Sequence, residues 1–202
     1  MKKNLFKITA AVVIAALMSV SMMTGCKDNN NDGENTETET VLAIDKIHPR
    51  SPEESLPGGY RLFDYDEEHQ GKFYLGDMSQ VIIRAYNNKE ELVDMATWAD
   101  SACANILTSN IMLYARDTDF HDPEDVKVCG YDGIRYDCDM KAYTQFDEDG
   151  NKLEEGSYIV KGRNYFFYSD KDAYVLMFEC YADDWDEQVA VFEEFIKDLE
   201  IK

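Results

Sequence analysis

Residues 133–143 read Gly-Ile-Arg-Tyr-Asp-Cys-Asp-Met-Lys-Ala-Tyr and have the clearest strand pattern in the chain. Apolar and charged side chains alternate along it, with Ile134, Tyr136, Cys138 and Met140 on one side and Arg135, Asp137, Asp139 and Lys141 on the other. A period of two is typical of a β-strand with one buried and one solvated face. The stretch therefore predicts a strand of an antiparallel sheet, because such sheets can expose one face to water.

The segments around this strand predict further strands joined by tight turns. Gly130-Tyr131-Asp132-Gly133 predicts a hairpin centred on Tyr131 and Asp132, and Asp149-Gly150 predicts a second turn. Ser169-Asp170-Lys171-Asp172 joins two segments rich in aromatic residues. The predicted strands are Tyr60–Tyr65, Lys72–Leu75, Gln80–Tyr86, Val126–Cys129, Gly133–Tyr143, Tyr158–Tyr168 and Ala173–Ala182.

Two segments have a helical period instead. In Asn88–Thr108 and in Asp184–Leu199 the apolar residues recur every three or four positions and fall on one face. Asn88 and Asp184 are each followed three residues later by a glutamate, which is the sequence signature of a capping box. The order of strands, helix, strands and helix predicts an α+β fold. We expect an antiparallel sheet with helices packed on one face and water on the other.

The first 26 residues have the pattern of a secretory signal. Three lysines come first, an apolar run spans Ile8–Met23, and Met23-Thr24-Gly25-Cys26 ends the segment. The segment resembles a bacterial lipoprotein signal with its lipobox, which implies that Cys26 is the lipid attachment residue and that residues 1–25 are removed. An uncleaved membrane anchor is disfavoured, because the 16-residue run is shorter than the roughly 20 residues that cross a bilayer.

The remaining chain divides at a change in composition. Lys27–Thr40 contains no aromatic or aliphatic residue, so it cannot bury enough apolar area to become ordered. Val41–Gly59 contains three prolines and is predicted to be extended. Residues 26–59 are therefore predicted to form a tether. Residues 60–202 are predicted to form a single globular domain, which is long enough to build a core without a metal or a disulfide.

Acidic residues outnumber basic ones. The chain contains 41 Asp and Glu against 20 Lys and Arg, a formal net charge of −21. Removal of residues 1–25 takes away three lysines, leaving 17 basic residues against 41 acidic ones and a charge of −24. A charge of this sign repels phosphate backbones and anionic headgroups. We therefore expect no nucleic-acid partner, and a membrane contact made through the lipid anchor alone.

The order of the elements resembles the PsbP-like domain, which DcrB-type bacterial lipoproteins share. The stretches that carry the resemblance are Cys129-Gly130-Tyr131-Asp132-Gly133, Tyr174-Val175-Leu176-Met177-Phe178 and Phe192-Glu193-Glu194-Phe195-Ile196-Lys197-Asp198-Leu199-Glu200-Ile201. The likeness covers residues 60–202 and concerns element order and apolar spacing. It implies an accessory or assembly protein, for which an envelope protein is a possible partner. The lipoprotein signal implies that this protein lies at the extracytoplasmic face of a bacterial cell membrane. It implies no catalytic residue.

Beyond Cys26 the chain contains four cysteines, an even number that invites two disulfides in an exported protein. In the predicted sheet, Cys138 and Cys180 lie on strands separated by a third strand. Their Cα atoms would then be roughly 9.6 Å apart, where bridged pairs lie within about 7 Å. Small buried thiols are therefore favoured over disulfides. The four cysteines are Cys103, Cys129, Cys138 and Cys180.

Other chemically active residues show no recognisable pattern. His48 lies in the predicted tether, and His69 and His121 lie in acidic loops without the spacing of a metal site. The carboxylates form three clusters, which are Asp64/Asp66/Glu67/Glu68, Asp117/Asp119/Asp122/Glu124/Asp125 and Asp147/Asp149/Asn151. The third starts like a calcium loop, but it lacks that loop's glycine at position six and glutamate at position twelve. No catalytic, cofactor-binding or metal-binding residue is assigned.

Two classes of function follow. A non-catalytic binding or assembly module is favoured, because the sequence has no nucleophile, metal or phosphate-binding motif. The alternative is a small cell-envelope hydrolase that uses a carboxylate pair among its many Asp and Glu residues, although no spacing singles out such a pair.

Overall fold

The structure is a computed structural model, and it describes residues 41–87, 89, 94–103, 116–145, 147–151 and 153–202. Its helices are α1 (Ala43–Lys46), α2 (residues 95–103) and α3 (Trp185–Asp198). Its strands are β1 (Ile47–Pro49), β2 (Arg61–Asp66), β3 (Gly71–Leu75), β4 (Ser79–Tyr86), β5 (Arg116–Phe120), β6 (Glu124–Val128), β7 (Tyr131–Ala142), β8 (Tyr158–Tyr168), β9 (Ala173–Tyr181) and β10 (Leu199–Ile201). Short 3₁₀ turns are Glu53–Ser55, Pro57–Gly59 and Ala182–Asp184.

The main sheet has eight strands in the order β2-β3-β4-β9-β8-β7-β5, and every pairing in it is antiparallel. The remaining strand, β6, also pairs with β7. The long β7 accommodates both neighbours because β6 pairs with residues 131–135 and β5 with residues 138–142. The predicted α+β class with an antiparallel sheet is confirmed. No helix among the described residues is long and apolar enough to cross a membrane.

Helices cover both faces of the sheet, so the expected solvated face is wrong for its centre. Leu176 and Phe178 of β9 belong to the core under α3, where the rings of Phe178 and Phe192 stack 4.5 Å apart. Val175 and Met177 belong to a second core, which Ala99, Cys103 and other residues of α2 cover. Central strands that are apolar at successive positions must be covered on both sides, because either face left open would expose them to water.

The domain begins before Tyr60, so the predicted tether is wrong for residues 41–59. Ala43, Ile44 and Ile47 are fully buried, and β1 pairs with β10 at the other end of the chain, with Ile47 opposite Ile201. The Tyr174 hydroxyl donates to the Ala43 carbonyl at 3.2 Å. A few apolar residues thus order a segment whose overall composition predicts an extended chain. Residues 1–40, with the predicted signal and Cys26, lie outside the described residues.

The β6–β7 hairpin turns at Cys129 and Gly130, not at Tyr131 and Asp132. Val128 pairs with Tyr131, and the two turn residues have φ values of 52° and 89°. Positive φ at both central residues is what a two-residue hairpin turn requires. Position 133, inside β7, requires glycine for a different reason, because a Cβ there would come within 2.8 Å of the Phe166 carbonyl oxygen. The predicted hairpin centre is therefore two residues too late in the chain.

The described residues show how α2 and α3 begin. Asp94 precedes α2, and it accepts the Thr97 N–H at 3.1 Å and the Thr97 hydroxyl at 2.8 Å. It is therefore the N-cap of the described helix. The predicted cap Asn88 lies outside the described residues. At α3, Asp184 occupies the N-cap position but its side chain makes no capping hydrogen bond. A preceding 3₁₀ turn leads into this helix instead.

Candidate functional site

The four cysteines of the described domain are free, as predicted. Cys103, Cys138 and Cys180 are buried and Cys129 is partly buried. Cys138 pairs with Gly162 and Cys180 with Lys161, so β8 separates the two thiols. The two side chains also belong to cores on opposite faces of the sheet. Burial raises the pKa of all four thiols. These groups are therefore poor nucleophiles near neutral pH.

Each of the three histidines contacts a carboxylate. His48 Nε2 lies 3.2 Å from Glu200 Oε1 in the β1–β10 pair, and His121 Nε2 lies 2.8 Å from Asp139 Oδ2. His69 Nδ1 lies 3.0 Å from Asp66 Oδ2. Burial raises the pKa of Asp66, but hydrogen bonds from His69 and the charge of Arg84 outweigh it and lower the pKa. The three pairs lie on β1, at the end of β2 and beside β7, so the fold does not bring the histidines into one site.

The acidic loop around Asp147 forms a turn. One carboxylate oxygen of Asp147 accepts the N–H groups of Asp149 and Asn151 at 3.0 and 2.7 Å. The other oxygen accepts the Asn151 side-chain amide at 2.9 Å. These hydrogen bonds lower the pKa of Asp147. Over the described part of the chain, no group of three or more His, Cys, Asp or Glu side chains is placed to hold a metal ion.

The described part of the fold assembles a cluster of charged side chains beside α3, on the face of the sheet that α3 covers. We call it the charged face. Its members are Glu124 of β6, Arg135 and Asp137 of β7, Lys161 and Arg163 of β8 and Glu193 of α3. The register places them together, because Asp137 is opposite Arg163 and Glu124 is opposite Arg135. Alternate residues of a strand share one face, so the charged half of the β7 pattern meets the charged residues of β8.

Arg163 is the centre of the charged face. Its Nε and Nη2 donate to the two oxygens of Asp137 at 2.8 and 2.7 Å, and its Nη1 donates to Glu193 Oε1 at 2.6 Å. The Tyr165 hydroxyl donates to the same Glu193 oxygen at 2.6 Å. The Trp185 ring centre lies 5.5 Å from the guanidinium carbon. A bidentate carboxylate, a second carboxylate and an aromatic ring hold this guanidinium in one geometry.

The charged face shifts the proton affinity of its members. Burial lowers the pKa of Arg163, but the hydrogen bonds to Asp137 and Glu193 outweigh it and raise the pKa. Burial raises the pKa of Tyr165, and the hydrogen bond to Glu193 raises it further. The Arg163 cation and the neutral Tyr165 phenol are therefore the stable forms across the physiological range. The arrangement is a fixed set of donors, acceptors and one indole ring.

Arg163→Met is expected to lower the free energy of unfolding by about 2 kcal/mol, because Asp137 and Glu193 would remain partly buried without their cation. Urea unfolding of the full-length protein in detergent measures the change. Lys127→Ala is the matched control, since the Lys127–Asp132 ion pair at 2.6 Å is exposed and such pairs contribute about 0–1 kcal/mol. Equal midpoints for the two variants would contradict a stabilising role of the charged face.

No protein-family profile matches the sequence, and no curated protein matches it. Solved structures are similar in overall arrangement. Cyanobacterial PsbP (CyanoP) from Synechocystis sp. PCC 6803 is 9% identical, with 84% of this chain and 98% of that chain covered and a TM-score of 0.48. LpqN of Mycobacterium tuberculosis, involved in cell envelope biogenesis, is 11% identical, with 77% and 83% covered and a TM-score of 0.43.

Proposed function

We propose that the chain is a membrane-anchored lipoprotein at the extracytoplasmic face of a bacterial membrane, and that its domain is a non-catalytic binding or assembly module. The anchor is supported by the first 26 residues, where an apolar run follows three lysines and ends at Met23-Thr24-Gly25-Cys26. The lipid would hold the domain at the surface, where its function is to bind a partner.

The placement of the Arg163 guanidinium carries the second half of this proposal. A hydrolase with two carboxylates needs space between them for the substrate bond and, in inverting enzymes, for a water molecule. On the charged face, Asp137 and Glu193 both accept hydrogen bonds from Arg163, which lies between them. Arg and Trp, the residue types of Arg163 and the partly buried Trp185 beside it, are instead enriched among the residues that dominate binding surfaces.

Cys26→Ser is expected to abolish incorporation of radiolabelled fatty acid and to leave the precursor uncleaved, since lipidation requires the thiol. The measurement is autoradiography of the protein from labelled bacteria, together with its apparent mass. Cys129→Ser is the matched control, because it removes a free thiol of the folded domain and should not change labelling. Labelling that persists in Cys26→Ser would contradict the anchor.

A substrate screen tests the absence of catalysis. The full-length protein in detergent is incubated with peptidoglycan, glycan, ester and peptide substrates, and we expect no turnover above a heat-denatured control. The variants Asp137→Asn and Glu193→Gln accompany the wild type, with circular dichroism to show that they remain folded. Turnover by the wild type that either folded variant loses would establish the hydrolase and overturn the proposal.

A further inference from the structure

The edge strand β2 exposes apolar side chains in an unusual concentration. Its exposed fractions are 38% for Leu62, 57% for Phe63 and 39% for Tyr65. Within the described residues, β2 pairs on one side with β3 and has no strand on its other side. An edge strand with exposed apolar residues is a template for pairing with another chain.

The backbone of β2 is irregular at the centre of this patch. The register with β3 shifts between Leu62 and Asp64, so that Phe63 has no partner residue on β3. A bulge of this kind changes the direction of side chains and the twist of the strand. The bulge therefore holds the Phe63 ring at the surface, where a partner could contact it.

Two backbone N–H groups of this edge donate hydrogen bonds to carboxylates. The Leu62 N–H donates to Glu53 Oε1 at 3.2 Å, and the Tyr65 N–H donates to Asp64 Oδ1 at 3.0 Å. An N–H that reaches a side chain in this way is directed away from β3, toward the side from which an added strand would approach. The two carboxylates therefore protect the edge against nonspecific pairing.

The surroundings of the edge are strongly acidic. The run Arg61–Glu68 contains four carboxylates and one basic residue. A fifth carboxylate, that of Asp45, accepts the Tyr65 hydroxyl at 2.8 Å. The nearby cation Lys72 is engaged elsewhere, since its Nζ donates to the carbonyls of Ile44 and Ile47 at 2.8 and 2.7 Å. A second copy of this edge would meet like charges, whereas a basic partner would meet opposite ones.

We infer that the β2 edge binds a basic, extended segment of a partner protein by strand addition. The inference names a partner class for the proposed binding module and rests on that proposal. A lysine or arginine of the partner forms an ion pair with the carboxylate of Glu53 or Asp64. The backbone N–H that had donated to this carboxylate then donates to a carbonyl of the partner. Hydrogen bonds are exchanged without loss, and apolar partner side chains cover Leu62 and Phe63. A neutral or acidic strand cannot compensate the displaced carboxylates, so the edge selects for positive charge.

Two synthetic peptides test this inference with the full-length protein in detergent. One alternates lysine with valine over seven residues, and the other replaces each lysine with glutamate. Fluorescence anisotropy should show binding of the lysine peptide that weakens as salt is added, and no binding of the glutamate peptide. Leu62→Pro, which removes one N–H, and Phe63→Asp should each weaken binding by at least about tenfold.

The matched control is Ile159→Asp, because Ile159 is 44% exposed on β8, outside the β2 edge. It introduces the same charge as Phe63→Asp and should leave the affinity unchanged. Absence of lysine-peptide binding, or equal affinity in all three variants, would overturn the inference. Wild-type dimers in sedimentation that Phe63→Asp abolishes would also overturn it, in favour of a second copy. Cleavage of the bound peptide, detected by mass spectrometry, would overturn the non-catalytic proposal instead, leaving the edge assignment standing.

Discussion

The free energy of unfolding should fall steeply above pH 9, by up to about 9 kcal/mol between pH 9 and pH 11. Four buried or partly buried thiols cause this effect. Burial raises the pKa of Cys129 from 9.0 to about 11 and that of Cys103 and Cys180 to about 12, and it raises the pKa of Cys138 further. The unfolded chain releases these protons near pH 9 while the folded protein retains them.

The sign follows directly from this difference. Below pH 9 the thiols are protonated in both states and their full contribution to stability is present. Above it the unfolded state binds fewer protons, so each group lowers stability by up to about 1.4 kcal/mol per pH unit. Buried phenols extend the decline above pH 10, since burial raises the pKa of Tyr74 to about 12.

Urea unfolding of the full-length protein in detergent, at pH 7, 9, 10 and 11 with a reductant, measures this dependence. Cys103→Ala is the matched variant, because it removes one of the four thiols. It should reduce the loss of unfolding free energy by up to about 1.4 kcal/mol per pH unit, the contribution of one thiol. A midpoint that does not change between pH 7 and pH 11 would contradict the burial of the thiols.

A chain that begins at Tyr60 should lose about 5 kcal/mol or more of stability relative to one that begins at Val41, which is comparable with the whole stability of a small domain. The missing segment contains Ile44 and Ile47, both fully buried, and the strand that pairs with β10. Its removal would expose the core that these residues cover.

The urea midpoint of each chain measures this loss. Ile44→Ala in the full-length protein provides an independent test, with an expected loss of about 2–5 kcal/mol from the cavity. Val41→Ala is its matched control, since Val41 is exposed and its truncation should change stability little. Similar midpoints for the two shortened chains would show that the segment is not part of the cooperative unit.

Regular elements with their own periodicity were predictable from the sequence. The predicted strand Tyr158–Tyr168 agrees with β8, and the predicted helix Asp184–Leu199 exceeds α3 by one residue at each end. Both contain enough apolar residues at a fixed period for local pattern to determine the structure. β5 was not predicted, because Arg116-Asp117-Thr118-Asp119-Phe120 has one apolar residue and forms a strand only by pairing with β7.

Elements that depend on distant partners were not predictable. β1 and β10 are three residues long and stabilise each other across most of the chain. The charged face has the same origin. The alternation at Arg135 and Asp137 indicated a charged side of β7, but the contact with Arg163 depends on a register that no local pattern specifies. The β2 edge differs again, since Phe63 is exposed through a bulge that its sequence does not signal.

The pairing of β4 with β9 has a consequence for how the protein folds. β2 to β4 and β5 to β9 are runs of neighbouring strands, and each run can form from contacts that are close in sequence. β4 and β9 join the two runs, with Ile82 opposite Met177, 95 positions later in the sequence. Closing that loop is the entropically demanding step, so it should limit the folding rate. Because both strands are also buried on both faces, we expect their amide protons to exchange with solvent only when the whole domain unfolds.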